Sequence, residues 1–540
     1  MQAWFKSAGS FLLGSLVFAL VYTQAPLYYS NQNQYFLHGL ADGGLGLLHA
    51  DWLANTLDPT PLFSLLVSAT YRFGHTALFY AWYALLFGVY YFALSGVFRL
   101  LLGERATPVL RACFALLFLG IHAGALRFAS GQLLGVDYPW YFQAGLAGQY
   151  ILGPTFQPSA FGVLLLLSIY LFLAGKPWQA IVWACAGATI HTTYLFSAAC
   201  LTLAYMFLRW RDGAKRASVL LGGLALLLVL PIVFYNWSTF GPSSPSAFAE
   251  AQQVLARFRI PHHCVIGDWF DWVAGLQVAW IVLAMVLARR HPLAILMLFS
   301  FVPGTALTLV QLATGNDTLS LLFPWRVSVY LVPLATTVVL AKLLAGIADR
   351  LNAWPAPRQR LVQWTALGGV GGLVLGGVWI GTQDLAYPTS DDETGVLAFV
   401  QANQAQGGVY LIPFDLPRPR VRKGAFMNDF VPPTQPGNSN RLIRIELQRF
   451  RLHTGAPIFI DFKSIPYRDV EVLEWQRRVQ TAQAIYKHLY AGQETAAAPL
   501  LQAESITHVV MPARHKLEGT MFRSVFDDGA FAVYRISTPP

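Results

Sequence analysis

The sequence predicts a polytopic α-helical membrane bundle of about eleven spans over residues 1–382, followed by a small soluble α/β domain over residues 383–540. Three observations carry that prediction. The 540-residue chain is 55% hydrophobic and 12% charged, with a mean hydropathy of +0.47. Soluble domains run to about 25% charged, so roughly half the usual solvated surface is missing. Apolar runs of span length recur along the first 382 residues, separated by short stubs rich in arginine and lysine. After residue 382 the pattern changes to short strand-like runs and one long amphipathic stretch.

The apolar runs lie at 8–24, 77–100, 108–125, 157–174, 178–192, 194–208, 217–236, 272–289, 292–311, 324–345 and 362–381. The stretch 178–208 is too long for one span and short for two, and it turns at His191-Thr192-Thr193-Tyr194. The first run follows a lone Lys6 and lacks a small-residue cleavage site, so it is expected as a retained helix. Orientation follows from the basic stubs. Arg99, Arg105 and Arg111 flank one; Arg209, Arg211, Lys215 and Arg216 fill a second. Arg289-Arg290-His291 form a third, and Arg350, Arg358 and Arg360 a fourth. All four share a side if residues 61–74 lie along the interface without crossing, and basic loops mark the cytoplasmic side. The N-terminus is then cytoplasmic, and the C-terminal domain lies outside a bacterial inner membrane, in the periplasm. The longer polar loops 25–76, 122–156 and 237–271 share that external face.

In the C-terminal domain, strands are expected at Gly408–Ile412, Pro457–Asp461, His508–Met511 and Ala530–Tyr534, with a helix over Asp469–Tyr490. The net charge of +10 does not point to nucleic acid, because the basic residues of the apolar part cluster at helix ends. Four cysteines at 113, 185, 200 and 264 offer no disulfide framework. No Walker A loop, H-E-x-x-H or G-x-S-x-G motif is present.

The segment after the first span is the most polar part of the apolar region. It runs Asn31-Gln32-Asn33-Gln34, then Asp42-Gly43-Gly44, His49-Ala50-Asp51-Trp52 and Asp58-Pro59-Thr60-Pro61. Pro61-Leu62-Phe63 opens the interfacial helix; Lys176-Pro177-Trp178 and Ile190-His191 bound a central hairpin. Phe450-Arg451-Leu452-His453-Thr454-Gly455-Ala456-Pro457 leads on to Asp461-Phe462-Lys463. With these signatures the layout resembles the GT-C class of polytopic membrane glycosyltransferases, and is closest to uncharacterised bacterial membrane proteins of that layout. The resemblance implies an inverting transferase that moves a sugar from a polyprenyl-phosphate donor to a lipid-linked or cell-envelope acceptor at the external face. A non-catalytic scaffold for envelope polysaccharide assembly is the alternative, and a lipid or polysaccharide transporter the third reading. One departure stands out. Where the class carries an early acidic residue, this chain has Asn31-Gln32-Asn33-Gln34, which cannot act as a base.

Transfer from a lipid phosphate requires a base for the acceptor and cationic or metal help for the leaving phosphate. Asp51, between His49 and Trp52, is the expected base, with Asp42 behind it; Asp51 reads equally as the cap of Trp52–Thr56, and Asp42 as a turn residue. Arg326 sits at the external mouth of a span, against the positive-inside bias, and is the expected phosphate ligand. Snorkelling or pairing with Asp317 would explain it equally well. Arg257 and Arg259 form a second external basic group, close to His262 and His263. His191 is either a satisfied core histidine or part of the substrate site. No cofactor is certain. A divalent ion such as Mg or Mn is the one the chemistry could use, but adjacent His262-His263 lacks chelating spacing.

Overall fold

The computed structural model describes residues 2–387, 391–413, 447 and 449–537. A helix occupies each of the eleven expected ranges, from Gln2–Tyr22 through Leu78–Leu102 and Lys215–Thr239 to Ala356–Thr382. Helix starts follow local chemistry. Proline stands in the first turn at Pro61, Pro108, Pro177, Pro245 and Pro292, where its missing N–H has no intrahelical partner to lose. Asp271 and Ser244 cap their helices by accepting the Ala274 and Ala247 N–H groups at 3.0 and 3.1 Å.

The count of eleven crossings is the point at which the structure differs. Among the described residues, five helices are long and apolar enough to cross a membrane, or six if the pair Pro108–His122 and Gly124–Leu134, bent by 54°, counts as one. The reason is length. Pro177–Ile190 has 14 residues and Leu195–Arg211 has 17. At about 1.5 Å per residue neither reaches the ~30 Å of a hydrocarbon core. The break between them falls at His191, where the sequence turns. The segment Pro61–Phe73 forms one helix with Leu62, Leu65 and Phe73 exposed.

Burial sorts the long helices by position. The span within Asp317–Asn352 is 72% buried and forms the bundle centre, whereas Lys215–Thr239 and Ala356–Thr382 are 22% and 11% buried. Their exposed Leu227, Phe234, Trp237, Trp364 and Leu375 form an apolar exterior of the kind that faces lipid.

The C-terminal domain is built on a four-stranded mixed sheet. Its strands are β1 (Tyr410–Leu411), β2 (His508–Pro512), β3 (Phe522–Asp527) and β4 (Phe531–Ile536), in the order β1-β2-β4-β3. β1 runs parallel to β2, and the other pairs are antiparallel. Alternation along the strands divides the core. Leu411, Val509 and Met511 face the helix Asp469–Tyr490 through Trp475 and Ile485. Tyr410, Val510 and Val533 face the helix Thr394–Asn403 through Val396 and Val400. The expected strand at 457–461 is reduced to a single bridge, Tyr410 with Ile458. β3 was not anticipated, although Asp528-Gly529 ahead of β4 is a hairpin signal.

Two polar loops of the bundle are locked to this domain. Leu47 N–H donates to the Gly455 carbonyl at 2.8 Å, and a Cβ on Gly46 would meet that oxygen at 2.6 Å. Leu57 N–H donates to Glu471 at 3.2 Å, and Ser243 N–H to Asp469 at 2.7 Å. Both carboxylates lie in the first turn of Asp469–Tyr490, where negative charge suits the helix dipole.

Candidate functional site: a cationic cavity at the domain junction

A cavity of about 360 Å³ lies where the polar loops of the bundle meet the C-terminal domain. Its walls come from the short helix Gln32–Tyr35, the turn around Gln149, the break at His191–Thr193, the segment Phe248–His263, the turn at Arg326 and the segment Lys463–Tyr467. Arg326, Arg259, His262, His263 and His191 all line it. These five come from three separate segments of the chain, around His191, Arg259–His263 and Arg326.

Each side chain is held by a specific device. Arg326 lies on the short 3-10 turn Pro324–Val327, entered through Phe323 at φ +49, a left-handed conformation uncommon for a bulky residue. Its Nη2 donates to His191 Nε2 at 2.7 Å, and its guanidinium sits 5.3 Å from the centre of the Tyr194 ring. Arg259 closes a π-helical turn over Val254–Arg259 and donates through Nη2 to the Lys463 carbonyl at 2.5 Å. Its guanidinium lies 5.0 Å from the Phe462 ring centre. His263 bonds through Nδ1 to the Ala147 carbonyl at 2.5 Å, which makes Nδ1 the donor and leaves the lone pair on Nε2.

The Asn31–Gln34 run divides by face. Gln32 and Asn33 are buried and brace the loop, with Gln32 Oε1 accepting Tyr28 N–H at 2.7 Å and Asn33 Nδ2 donating to the Tyr28 carbonyl at 2.6 Å. Asn31 and Gln34, three residues apart, face the cavity and donate to Tyr150 Oη and Tyr467 Oη at 3.2 and 2.7 Å. Gln149, Gln157 and Ser159 line the same space, and each has a buried side-chain oxygen with no hydrogen-bond partner among the described residues.

Three expected residues lie elsewhere. Asp51 does not line the cavity and is fully buried. Its Oδ1 accepts the Leu53 and Ala54 N–H groups at 2.9 and 3.3 Å; its Oδ2 accepts Ile458 N–H at 3.0 Å and pairs with Arg451 Nε at 2.9 Å. A carboxylate with both oxygens occupied inside the protein caps a turn and docks a domain; it does not take a proton from an acceptor. Asp42 is exposed in the last turn of Leu37–Gly43, outside the cavity. Arg257 is exposed, pairs with Asp317 at 3.0 Å and also lies outside. Asp317 is therefore the partner of Arg257 and not, as the sequence allowed, of Arg326.

Among the described residues no aspartate or glutamate lines the cavity, and the charged side chains that do are Arg259, Arg326 and Lys463, with three histidines. Among the described residues no group of three or more His, Cys, Asp or Glu side chains could hold a metal ion. A site that meets hard cations with arginine and lysine does not fit Mg or Mn, which take oxygen ligands. Lys463 and Tyr467 were missed because they arrive from 430 residues downstream of the first loop, and no local spacing announces such a contact.

Residues 429–482 match a family described as a domain of unknown function, DUF6798. The matched segment carries Arg451, which docks Asp51, as well as Lys463 and Tyr467 of the cavity wall. No curated protein and no solved structure matches the chain.

Proposed function

We propose that the cavity receives the phosphate and sugar of a polyprenyl-phosphate-linked donor, and that the chain is a membrane glycosyltransferase of GT-C type acting on a lipid-linked or cell-envelope acceptor. The observation that carries this reading is the composition of the cavity. Arg259, Arg326 and Lys463 line it together, and arginine and lysine are the side chains that hold a phosphate. The adjoining Asn31, Gln34, Gln149, Gln157 and Ser159 are the amide and hydroxyl groups that bind sugar hydroxyls in both donor and acceptor senses. Crossings of a bacterial inner membrane by the bundle, with a cytoplasmic N-terminus and a periplasmic C-terminal domain, accompany the proposal. They put the cavity at the external end of the bundle, within reach of a lipid headgroup.

With Asp51 buried in the junction, the acceptor proton falls to a cavity histidine. His191 accepts from Arg326 through Nε2, so the role is assigned to His262 or His263, which line the same cavity. A second reading, a non-catalytic scaffold that holds the lipid-linked donor, is favoured by the absence of a carboxylate among the described residues of the cavity wall. Purified protein in nanodiscs separates the two. Saturable binding of undecaprenyl phosphate, weakened by Arg326→Ala and Lys463→Ala, supports the site. Release of undecaprenyl phosphate from labelled hexose-linked donors supports transfer, and binding without release favours the scaffold. Absence of binding removes both.

A further inference from the structure

We propose that His191 is a neutral positioning residue that aims Arg326 into the cavity; the inference rests on the phosphate-binding reading above and goes one step beyond it. Arg326 Nη2 lies 2.7 Å from His191 Nε2. A guanidinium carries five N–H donors and no acceptor, so the contact requires a lone pair on Nε2. The ring's hydrogen is then on Nδ1. Protonation of Nε2 would set two donors and two cations face to face, so the pair exists only with the neutral imidazole.

The surroundings hold the ring in that state and in that place. His191 is 4% exposed and stands between two phenols, with Tyr35 at 6.1 Å and Tyr194 at 5.3 Å between ring centroids, both edge-on. Among the described residues the other charged groups that line the cavity, Arg259 and Lys463, are cations, and the remaining titratable side chains are His262, His263, Tyr35, Tyr150 and Tyr467. None of these offers the negative charge that a second proton on His191 would need. Backbone geometry adds to this. His191 is the extended residue between two helices, at φ −136 and ψ 101, and its own N–H is bonded to the Gly187 carbonyl at 3.1 Å.

The arrangement also defines what Arg326 presents. One Nη2 hydrogen goes to His191, and the guanidinium carbon lies 5.3 Å from the centre of the Tyr194 ring. The guanidinium is thus held by a neutral bond and beside a ring, and its buried Nε has no hydrogen-bond partner among the described residues. A positively charged anchor could not play this part, and an acidic one would neutralise the arginine that the phosphate needs.

The test uses undecaprenyl phosphate as the probe, with full-length protein in lipid nanodiscs. His191→Gln keeps an oxygen acceptor near the position of Nε2, whereas His191→Leu keeps volume and removes the acceptor. The expected result is affinity within about threefold of wild type for His191→Gln and a loss of roughly tenfold or more for His191→Leu, as for a charge-assisted hydrogen bond. Equal affinity of His191→Leu and wild type, or equal weakness of both variants, would overturn the inference while leaving the phosphate site intact. Loss of all binding in wild type would overturn both. Nitrogen-15 spectra of histidine-labelled wild type decide independently of whether His191→Leu folds. The resonances lost in His191→Gln should be those of an Nδ1–H tautomer that does not titrate between about pH 8 and pH 5; an imidazolium or an Nε2–H tautomer there would sink the assignment.

Discussion

At the scale of single residues, Asp51 shows how far a carboxylate's role depends on what arrives beside it. Arg451 serves two buried acids, Asp51 at 2.9 Å and Asp461 at 3.0 Å, so its removal leaves two uncompensated negative charges in the junction. Arg451→Met is therefore expected to destabilise the junction by about 3–5 kcal/mol. Asp51→Asn leaves the Arg451–Asp461 pair charge-balanced and should be milder. Thermal unfolding of the two variants checks this order, and Asp51→Asn should bind undecaprenyl phosphate like wild type because it lies outside the cavity. The reverse order, or lost binding in Asp51→Asn, would return Asp51 to the site. Arg326→Lys is the second prediction at this scale. An ammonium cannot bond His191 and still offer the planar fork of a guanidinium, so ligand affinity should fall about tenfold. Titration at matched protein concentration measures it, and undiminished affinity would mean that charge alone is what Arg326 supplies.

At the scale of elements, the sheet of the C-terminal domain carries a pH-sensitive strand. His508 opens β2, stacks on Tyr410 at a centroid distance of 4.6 Å and lies opposite Arg535 of β4. Burial, and then the charge of Arg535, push its pKa down from 6.5 to about 4. The unfolded chain binds this proton more readily than the folded one. Stability is thus full above about pH 6.5, falls as pH drops toward about 4, and changes no further below that. Resistance of the domain to proteolysis in urea should decline between about pH 7 and pH 5 in wild type, and His508→Phe, which keeps the stack, should flatten that contribution. An unchanged slope in His508→Phe would assign the sensitivity to another group. Element boundaries were legible where a single chemical rule governs them. The helix Asp469–Tyr490 begins and ends as its apolar spacing predicts, because Val472, Trp475, Val479, Ala482 and Tyr486 need only one buried face. Pro457–Asp461 has the apolar pattern of a strand but lacks a continuous partner, because the Ile458 N–H is taken by Asp51.

At the scale of the whole molecule, the basic stubs predict that Lys215 and residue 406 lie on opposite sides of the membrane. Single cysteines at the exposed Lys215 and Gln406, in a cysteine-free background, should label with an impermeant thiol reagent from opposite sides. Labelling of both from one side would remove the orientation and, with it, the periplasmic placement of the cavity. Composition alone determined that the chain is a helical bundle with a separate α/β domain, since hydropathy and periodicity are properties of consecutive residues. It also marked His191, Arg259, Arg326, His262 and His263, because polar and charged side chains beside apolar runs stand out locally. What the tertiary structure decided is which of the polar residues share a space. Asp51 and Arg326 look alike along the chain, each an ionisable group at the edge of an apolar stretch. Folding buries one against Arg451 from the C-terminal domain and turns the other into a cavity completed by Lys463 from the same domain. Both partners come from over a hundred residues away, and contacts at that separation are set by the packing of whole elements, which no local pattern encodes.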